Sequence, residues 1–142
     1  MIKPKPFLDR YMLSGFSLAP IEAAEAKIIA GEMIEMDPWR TLNYAAAPLE
    51  NYLSTPSPAL HRYAIKVAND DIAGVVTVRY PWLKGAYLEL FGFFPNQQNK
   101  GLGTAVLNWL ERETESQAAN LWVLVSSSVS YTHLTLPTNR EV

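Results

Sequence analysis

Apolar and polar positions alternate along residues 11–19, YMLSGFSLA, and predict a first strand that runs into Pro20, a residue tolerated in the first turn of a helix. Beyond it the period changes to that of a helix. Ile21, Ala24, Ile28, Ile29, Met33 and Met36 recur at spacings of three and four, with Glu22, Glu25, Lys27, Glu32 and Glu35 elsewhere around the turn, so residues 21–36 predict an amphipathic helix. Asp37-Pro38-Trp39-Arg40 ends it, because proline disfavours helix in the residue before it and lacks an N–H. A loop and a short helix over about residues 47–53 follow, closed by Pro56 and Pro58. Residues 60–67 and 72–80 then read as two strands of a hairpin turned at Asn69-Asp70-Asp71. After a connection over residues 81–85, residues 86–94 predict a third strand ending at Pro95. Polar residues 96–100 lead into a helix over about 101–116, whose Leu102, Val106, Trp109 and Leu110 share one face, and the apolar run 121–125 suits a strand buried on both sides.

Composition narrows what such a chain does. Its 142 residues suit one domain, and 49% hydrophobic against 18% charged residues is the balance of a chain with a packed core. A formal charge of -2 gives no net field toward nucleic acid or an anionic membrane, so any anion must be bound locally. There is no Cys, which excludes disulfides, thiolate metal sites and a cysteine nucleophile. No stretch approaches the roughly 18 apolar residues of a membrane span, and no leader pattern follows Met1, so a soluble, cytoplasmic protein is expected. His61 stands without an evident second ligand, and no metal is expected.

The chemistry concentrates between the third strand and the following helix. Gly101 and Gly103 stand at a helix start, where amides lack intrahelical partners, the helix dipole is positive, and an anion can approach the backbone closely. A phosphate is the expected ligand group; the alternative is that the glycines merely make a tight start to the helix. No GxxxxGK[ST] occurs, and Val106 stands where the dinucleotide fingerprint needs its third glycine, so neither common nucleotide loop fits.

Gln98-Asn99-Lys100-Gly101-Leu102-Gly103 resembles the [QR]xxGx[GA] signature of the GNAT superfamily of acyl-CoA-dependent N-acyltransferases. The aromatic strand ending at Pro95 and the element order over about residues 11–126 agree with it. The resemblance implies an α/β fold (α+β in some schemes) of three layers, a mixed, mostly antiparallel sheet flanked by helices, and an N-acetyltransferase that uses acetyl-CoA as co-substrate and an amine as acceptor. It implies that the amides of Gln98, Asn99, Lys100, Gly101, Leu102, Gly103 and Thr104 hold the coenzyme pyrophosphate. The backbone of Phe91, Gly92 and Phe93 would pair with the pantetheine arm, and an amide near Phe93 would stabilise the thioester oxygen during direct attack. Lys100 adds a point charge or is simply solvated. A non-catalytic acyl-CoA-binding module, or a nucleotide-binding domain of another fold, are the alternatives.

An amine attacks only when neutral, so a base is useful. Glu89 is the candidate, on the face that strict alternation gives to Glu89, Phe91 and Phe93, with Tyr87 a weaker substitute; a strand carboxylate in an ion pair is the competing reading. Trp39 and Arg40 lie in the loop that in this family contributes to the acceptor pocket. Equally, Trp39 anchors the loop to the core and Arg40 pairs with Asp37.

After Val125 the family's asparagine loop, its helix with a tyrosine that protonates the leaving thiolate, and its two final strands are not recognisable. Instead residues 129–138, VSYTHLTLPT, resemble the translation of a transposase adapter used in sequencing libraries. The expectation is therefore a domain over residues 1–127 lacking its last helix and strands, and a non-native tail over 128–142. The alternative is a genuine terminal strand, since residues 131–136 alternate. A domain cut there leaves an apolar edge open to aggregation or to a second copy of the chain, so a homodimer is one expected state.

Overall fold

Six strands form one sheet in which spatial order follows chain order: β1 (Tyr11–Leu13), β2 (Phe16–Ala19), β3 (Leu60–Lys66), β4 (Ile72–Trp82), β5 (Gly85–Phe93) and β6 (Asn120–Val123). The computed structural model describes residues 7–37, 39–82, 85–98, 101–114 and 120–123. Each of the first four strands is antiparallel to the next, and β6 runs parallel to β5. Among the described residues three helices complete three layers: α1 (Ala23–Met33), α2 (Ala46–Ser54) and α3 (Leu102–Thr114). The mixed α/β architecture is as expected, whereas the tail over 128–142 lies outside the described residues.

Strand alternation sorts the core into two clusters. Tyr63, Ile65, Val76, Val78 and Leu88 face α3, where Val106, Trp109 and Leu110 are buried against them, with Phe7 and Tyr11 closing the end. On the opposite face Ala64, Val75 and Leu90 meet Ile29 and Met33 of α1 and Leu49 and Leu53 of α2. Neighbours in sequence therefore go to opposite layers, as a period of two requires.

Three elements differ from the sequence-based expectation. Residues 11–19 are a tight hairpin, because Ser14-Gly15 turns the chain between Leu13 and Phe16, with Gly15 at a φ of 87° that a glycine adopts without strain. In α1 the buried stripe is Ala26, Ile29, Ala30 and Met33, while Ile28 is 54% exposed. Two apolar stripes compete on this helix, and the one with two alanines lets the helix lie closer to the sheet. β4 extends through Pro81 to Trp82, which pairs with Gly85; the register shifts there, a place where a residue without an N–H is tolerated.

At two glycines of the β4–β5 hairpin there is no room for a side chain. A Cβ on Gly74 would stand 2.1 Å from the Gly92 carbonyl oxygen, and one on Gly92 would stand 2.6 Å from Cη2 of Trp39. Gly74→Ala forces the strands apart and is expected to destabilise the protein by about 1–3 kcal/mol, read as a lower urea midpoint with an unchanged slope. An unshifted midpoint would show that the hairpin has slack.

Candidate functional site

The junction of β5 and α3 is fixed at both ends. The Phe94 N–H donates to the Ala73 carbonyl at 2.9 Å, a single 3-10 turn over Pro95–Gln97 follows, and the Gln98 side-chain amide donates to the Phe93 carbonyl at 2.9 Å. The Gln98 backbone N–H reaches the Pro95 carbonyl at 3.4 Å, so the described role of Gln98 is to tie the loop to the strand. Asn99 and Lys100 lie outside the described residues. Gly101 has a φ of 76° with open space where a Cβ would be, and α3 begins at the next residue. The first turn closes with the Ala105 N–H on the Gly101 carbonyl at 3.2 Å. The N–H groups of Leu102, Gly103 and Thr104 therefore precede any intrahelical acceptor, at the positive end of the helix dipole. The edge of the Phe93 ring lies 3.7 Å from where a Gly103 Cβ would stand, which keeps the strand end and the helix start in contact.

Glu89 lies on the other side of the sheet from Phe91 and Phe93. Thr77 pairs with Leu90 and Val78 with Leu88, so Glu89 is an extra residue in β5, a bulge that breaks alternation. Leu90 consequently joins the cluster against α1 and α2, while Phe91 and Phe93 pack with the cluster against α3. The expectation that Glu89 shares their face is corrected: a one-residue slip reverses every later side chain. Among the described residues, β5 pairs with β6 only from Gly85 to Leu88, and its edge from Glu89 onward has no strand beside it on that side.

The Glu89 carboxylate is held from two elements. Arg79 of β4 donates from Nε to Oε2 at 2.8 Å and from Nη2 to Oε1 at 2.9 Å. Tyr52 of α2 donates its hydroxyl to Oε1 at 2.7 Å, and the buried Thr77 hydroxyl lies 2.8 Å from the same phenolic oxygen. The Tyr52 proton is given to Glu89, so Thr77 is the donor of that second bond. Hydrogen bonding from Arg79 lowers the Glu89 carboxyl below its ordinary 4.5; partial burial opposes this and Tyr52 adds to it. Burial, with Glu89 beside it, pushes the Tyr52 phenol well above its ordinary value. Tyr87, two residues before Glu89, is likewise raised by burial and by the Glu89 charge.

Tyr52, Thr77 and Arg79 escaped the sequence reading. The available signal was a lone charge inside each of two apolar strands, Arg79 between Val78 and Tyr80 and Glu89 between Leu88 and Leu90. Two such charges on neighbouring antiparallel strands are candidates to pair.

Trp39 is buried over Gly92, and Arg40 is exposed with its guanidinium 3.4 Å from the Asp37 carboxylate. Asp37 also accepts from the Thr41 N–H at 3.2 Å and from the Thr41 hydroxyl, which stiffens the turn carrying Trp39. A separate open cleft is lined by Leu53, His61 and Arg62 among others and shares no residue with the junction. Arg62 is spent on the C-terminus of α2, donating to the Tyr52 and Thr55 carbonyls at 2.8 and 2.7 Å, and His61 stacks on Phe7. Among the described residues no cluster of metal-ligating side chains occurs, and no helix is long and apolar enough to cross a membrane.

The model of the acetyltransferase (GNAT) family matches residues 27–131, a range that contains both the bulge and the junction. The chain belongs to the GNAT acetyltransferase family. The fold is similar to that of solved acetyltransferases. An acetyltransferase from Thermus thermophilus superposes with a TM-score of 0.57 at 18% identity, over 69% of this chain and 68% of that one. A spermidine N-acetyltransferase SpeG chimera from Vibrio cholerae and hSSAT gives 0.52 at 17%, over 70% and 63%. The microcin C7 self immunity acetyltransferase MccE, solved with acetyl-CoA and AMP, gives 0.54 at 19%, over 71% and 63%. The chain thus spans about two thirds of the length of these acetyltransferase structures. None of the curated proteins compared with the chain matches it.

The Arg79–Glu89 pair sets an acid-side stability limit. A carboxyl lowered in the folded state contributes stability above its unfolded value of about 4.5, and that contribution is lost as pH falls through the lowered folded value. Urea midpoints are expected to fall between about pH 5 and pH 3, with Glu89→Gln flattening part of the drop. Parallel curves for the two proteins would remove Glu89 from that limit.

Proposed function

We propose that this chain is an N-acetyltransferase domain that transfers an acetyl group from acetyl-CoA to an amine of a small molecule or protein, by direct attack in a ternary complex. Residues 1–127 form that domain and 128–142 a non-native tail. The observation that carries the reading is the β5–α3 junction. The open space at Gly101 and the three amides of Leu102, Gly103 and Thr104 fit a pyrophosphate, and the β5 edge leads from there to Glu89.

When bound, acetyl-CoA supplies an acetyl thioester whose carbonyl carbon is open to attack by nitrogen. The backbone of Phe91, Gly92 and Phe93, beyond the last described pairing with β6, offers amide donors and acceptors to an extended arm in the manner of an added strand. Trp39 lies against Gly92 and so fixes the height of that edge, and the exposed Arg40 next to it in the same loop is available to an acceptor. An amide near Phe93 stabilises charge developing on the carbonyl oxygen. Glu89 receives the proton of the attacking amine. Its lowered pKa makes removal of a proton from a free ammonium, with a pKa of about 10, strongly uphill. The transfer is therefore coupled to formation of the carbon–nitrogen bond, which makes the nitrogen proton acidic.

Calorimetry with acetyl-CoA tests the first half of this reading. Gly101→Ala places a side chain at a φ of 76° and in the cradle itself, and is expected to weaken binding by about tenfold or more. Unchanged affinity would move the phosphate site elsewhere. Glu89→Gln tests the second half: kcat is expected to fall by about two orders of magnitude with acetyl-CoA affinity retained. Saturable acetyl-CoA binding without transfer to any of a panel of amines would instead make the protein an acyl-CoA-binding module. Binding of ATP or NAD with no response to coenzyme A would overturn both.

A further inference from the structure

Resting on the acetyltransferase reading, we infer that Tyr52 is a positioning residue for the reaction, because its hydroxyl and the Arg79 guanidinium leave Glu89 one open acceptor position, on Oε2, at which the acceptor amine delivers its proton. A carboxylate has about four acceptor sites, two on each oxygen. Oε1 has both filled, by Nη2 of Arg79 at 2.9 Å and by the Tyr52 hydroxyl at 2.7 Å. Among the described residues Oε2 has one filled, by Nε of Arg79 at 2.8 Å, and its second site is open. Without Tyr52 the carboxylate would be open at both oxygens, and an incoming N–H would have two directions of approach.

Tyr52 is itself held in place from both sides. It packs partly buried beside Leu49 and Leu53 on the sheet-facing stripe of α2, and the Thr77 hydroxyl donates to its oxygen. Arg79 is anchored beyond Glu89 by the Pro58 carbonyl at 3.3 Å and the Ser57 hydroxyl at 3.4 Å, both on Nη1. Among the described residues, the titratable or charged groups facing Glu89 are Arg79 from β4, Tyr52 from α2 and Tyr87 from β5 itself, with Tyr44 of the α1–α2 connection acting on Tyr87. Tyr87 stays protonated across the working range, because burial raises it. The step balances. Nitrogen bonds to the acetyl carbonyl carbon, the carbon–sulfur bond breaks with its electron pair leaving on sulfur, the nitrogen proton goes to Oε2, and from there it passes through solvent to the thiolate.

Carbon-13 NMR titration of the glutamate side-chain carboxyls in the full chain reads the arrangement without requiring turnover, with Glu89→Gln identifying the Glu89 signal. Tyr52→Phe is expected to move the Glu89 midpoint upward and leave the other glutamates in place. Thr77→Val, which removes only the group that aligns Tyr52, is expected to move it the same way by less. In the kinetic arm, with acetyl-CoA and spermidine or an amine from the panel, Tyr52→Phe is expected to lower kcat/KM for the amine by about tenfold. Its acid limb should shift to higher pH and KM for acetyl-CoA should not change. A Glu89 midpoint unmoved in both variants, in protein that binds acetyl-CoA, overturns this inference alone. Failure of the native chain to bind acetyl-CoA overturns the functional reading and this inference with it, whatever the titration shows.

Discussion

One extra residue in β5 governs how this sheet presents its chemistry. Because Thr77 opposes Leu90 and Val78 opposes Leu88, Glu89 has no residue directly opposite it in the ladder, and Leu90 comes to share its α1–α2 face. Every later residue of the strand is then reversed relative to a regular ladder, and Phe91 and Phe93 turn to the α3 face. Remove the bulge and the two aromatic rings would leave α3, while the strand end would lose its contact with the helix that starts at Leu102. The faces of Leu90, Phe91 and Phe93, and with them the contact to the helix start, are therefore set by a single irregularity in the hydrogen-bond ladder.

A bulge interrupts sheet hydrogen bonding, and the structure compensates for it locally. The Arg79 fork closes on the Glu89 carboxylate, and Tyr52 and Thr77 extend it into a polar chain that ends on the same carboxylate. The network also links α2 to the sheet with direction as well as area, which the apolar contacts of Leu49 and Leu53 alone would not supply. Farther along the hairpin the opposite device is used: Gly74 and Gly92 remove side chains so that backbone meets backbone and Trp39 can lie against the strand. Breadth at Glu89 and closeness at Gly92 shape one edge of one strand.

Much of the layout was readable in the residues, because burial on one or both faces imposes a period that sequence preserves. Strands β3, β4 and β5 and helix α3 lie where the alternation and the Leu102, Val106, Trp109, Leu110 stripe put them. The loop with Gly101 was readable too, since few residues tolerate its φ of 76°. What did not show was register. Alternation continues in the sequence straight through Glu89, and only cross-strand pairing with β4 makes that residue the extra one. Ile28 misled for a related reason: both candidate stripes of α1 are apolar, and the choice between them rests on how closely Ala26 and Ala30 let the helix approach the sheet. Tyr52 carried no signal of its own, because a tyrosine on a helix stripe beside Leu49 and Leu53 is indistinguishable from core.

The two ends of the β5 edge differ in electrostatic character, and this difference orders what binds along it. At the α3 end stand three amides of a helix start and an open glycine, a setting that favours an anion. At the other end stands a carboxylate kept ionised by Arg79, a setting that favours a proton donor and is neutral overall. Four residue steps along the strand separate Glu89 from Phe93, about 13 Å at the usual rise. A ligand with an anionic head and an extended amide-bearing arm can satisfy the helix start and the open strand edge together, which brings the far end of its arm toward Glu89. A compact anion would satisfy only the first of these and gain nothing from the rest of the edge, so the geometry discriminates by length as well as by charge.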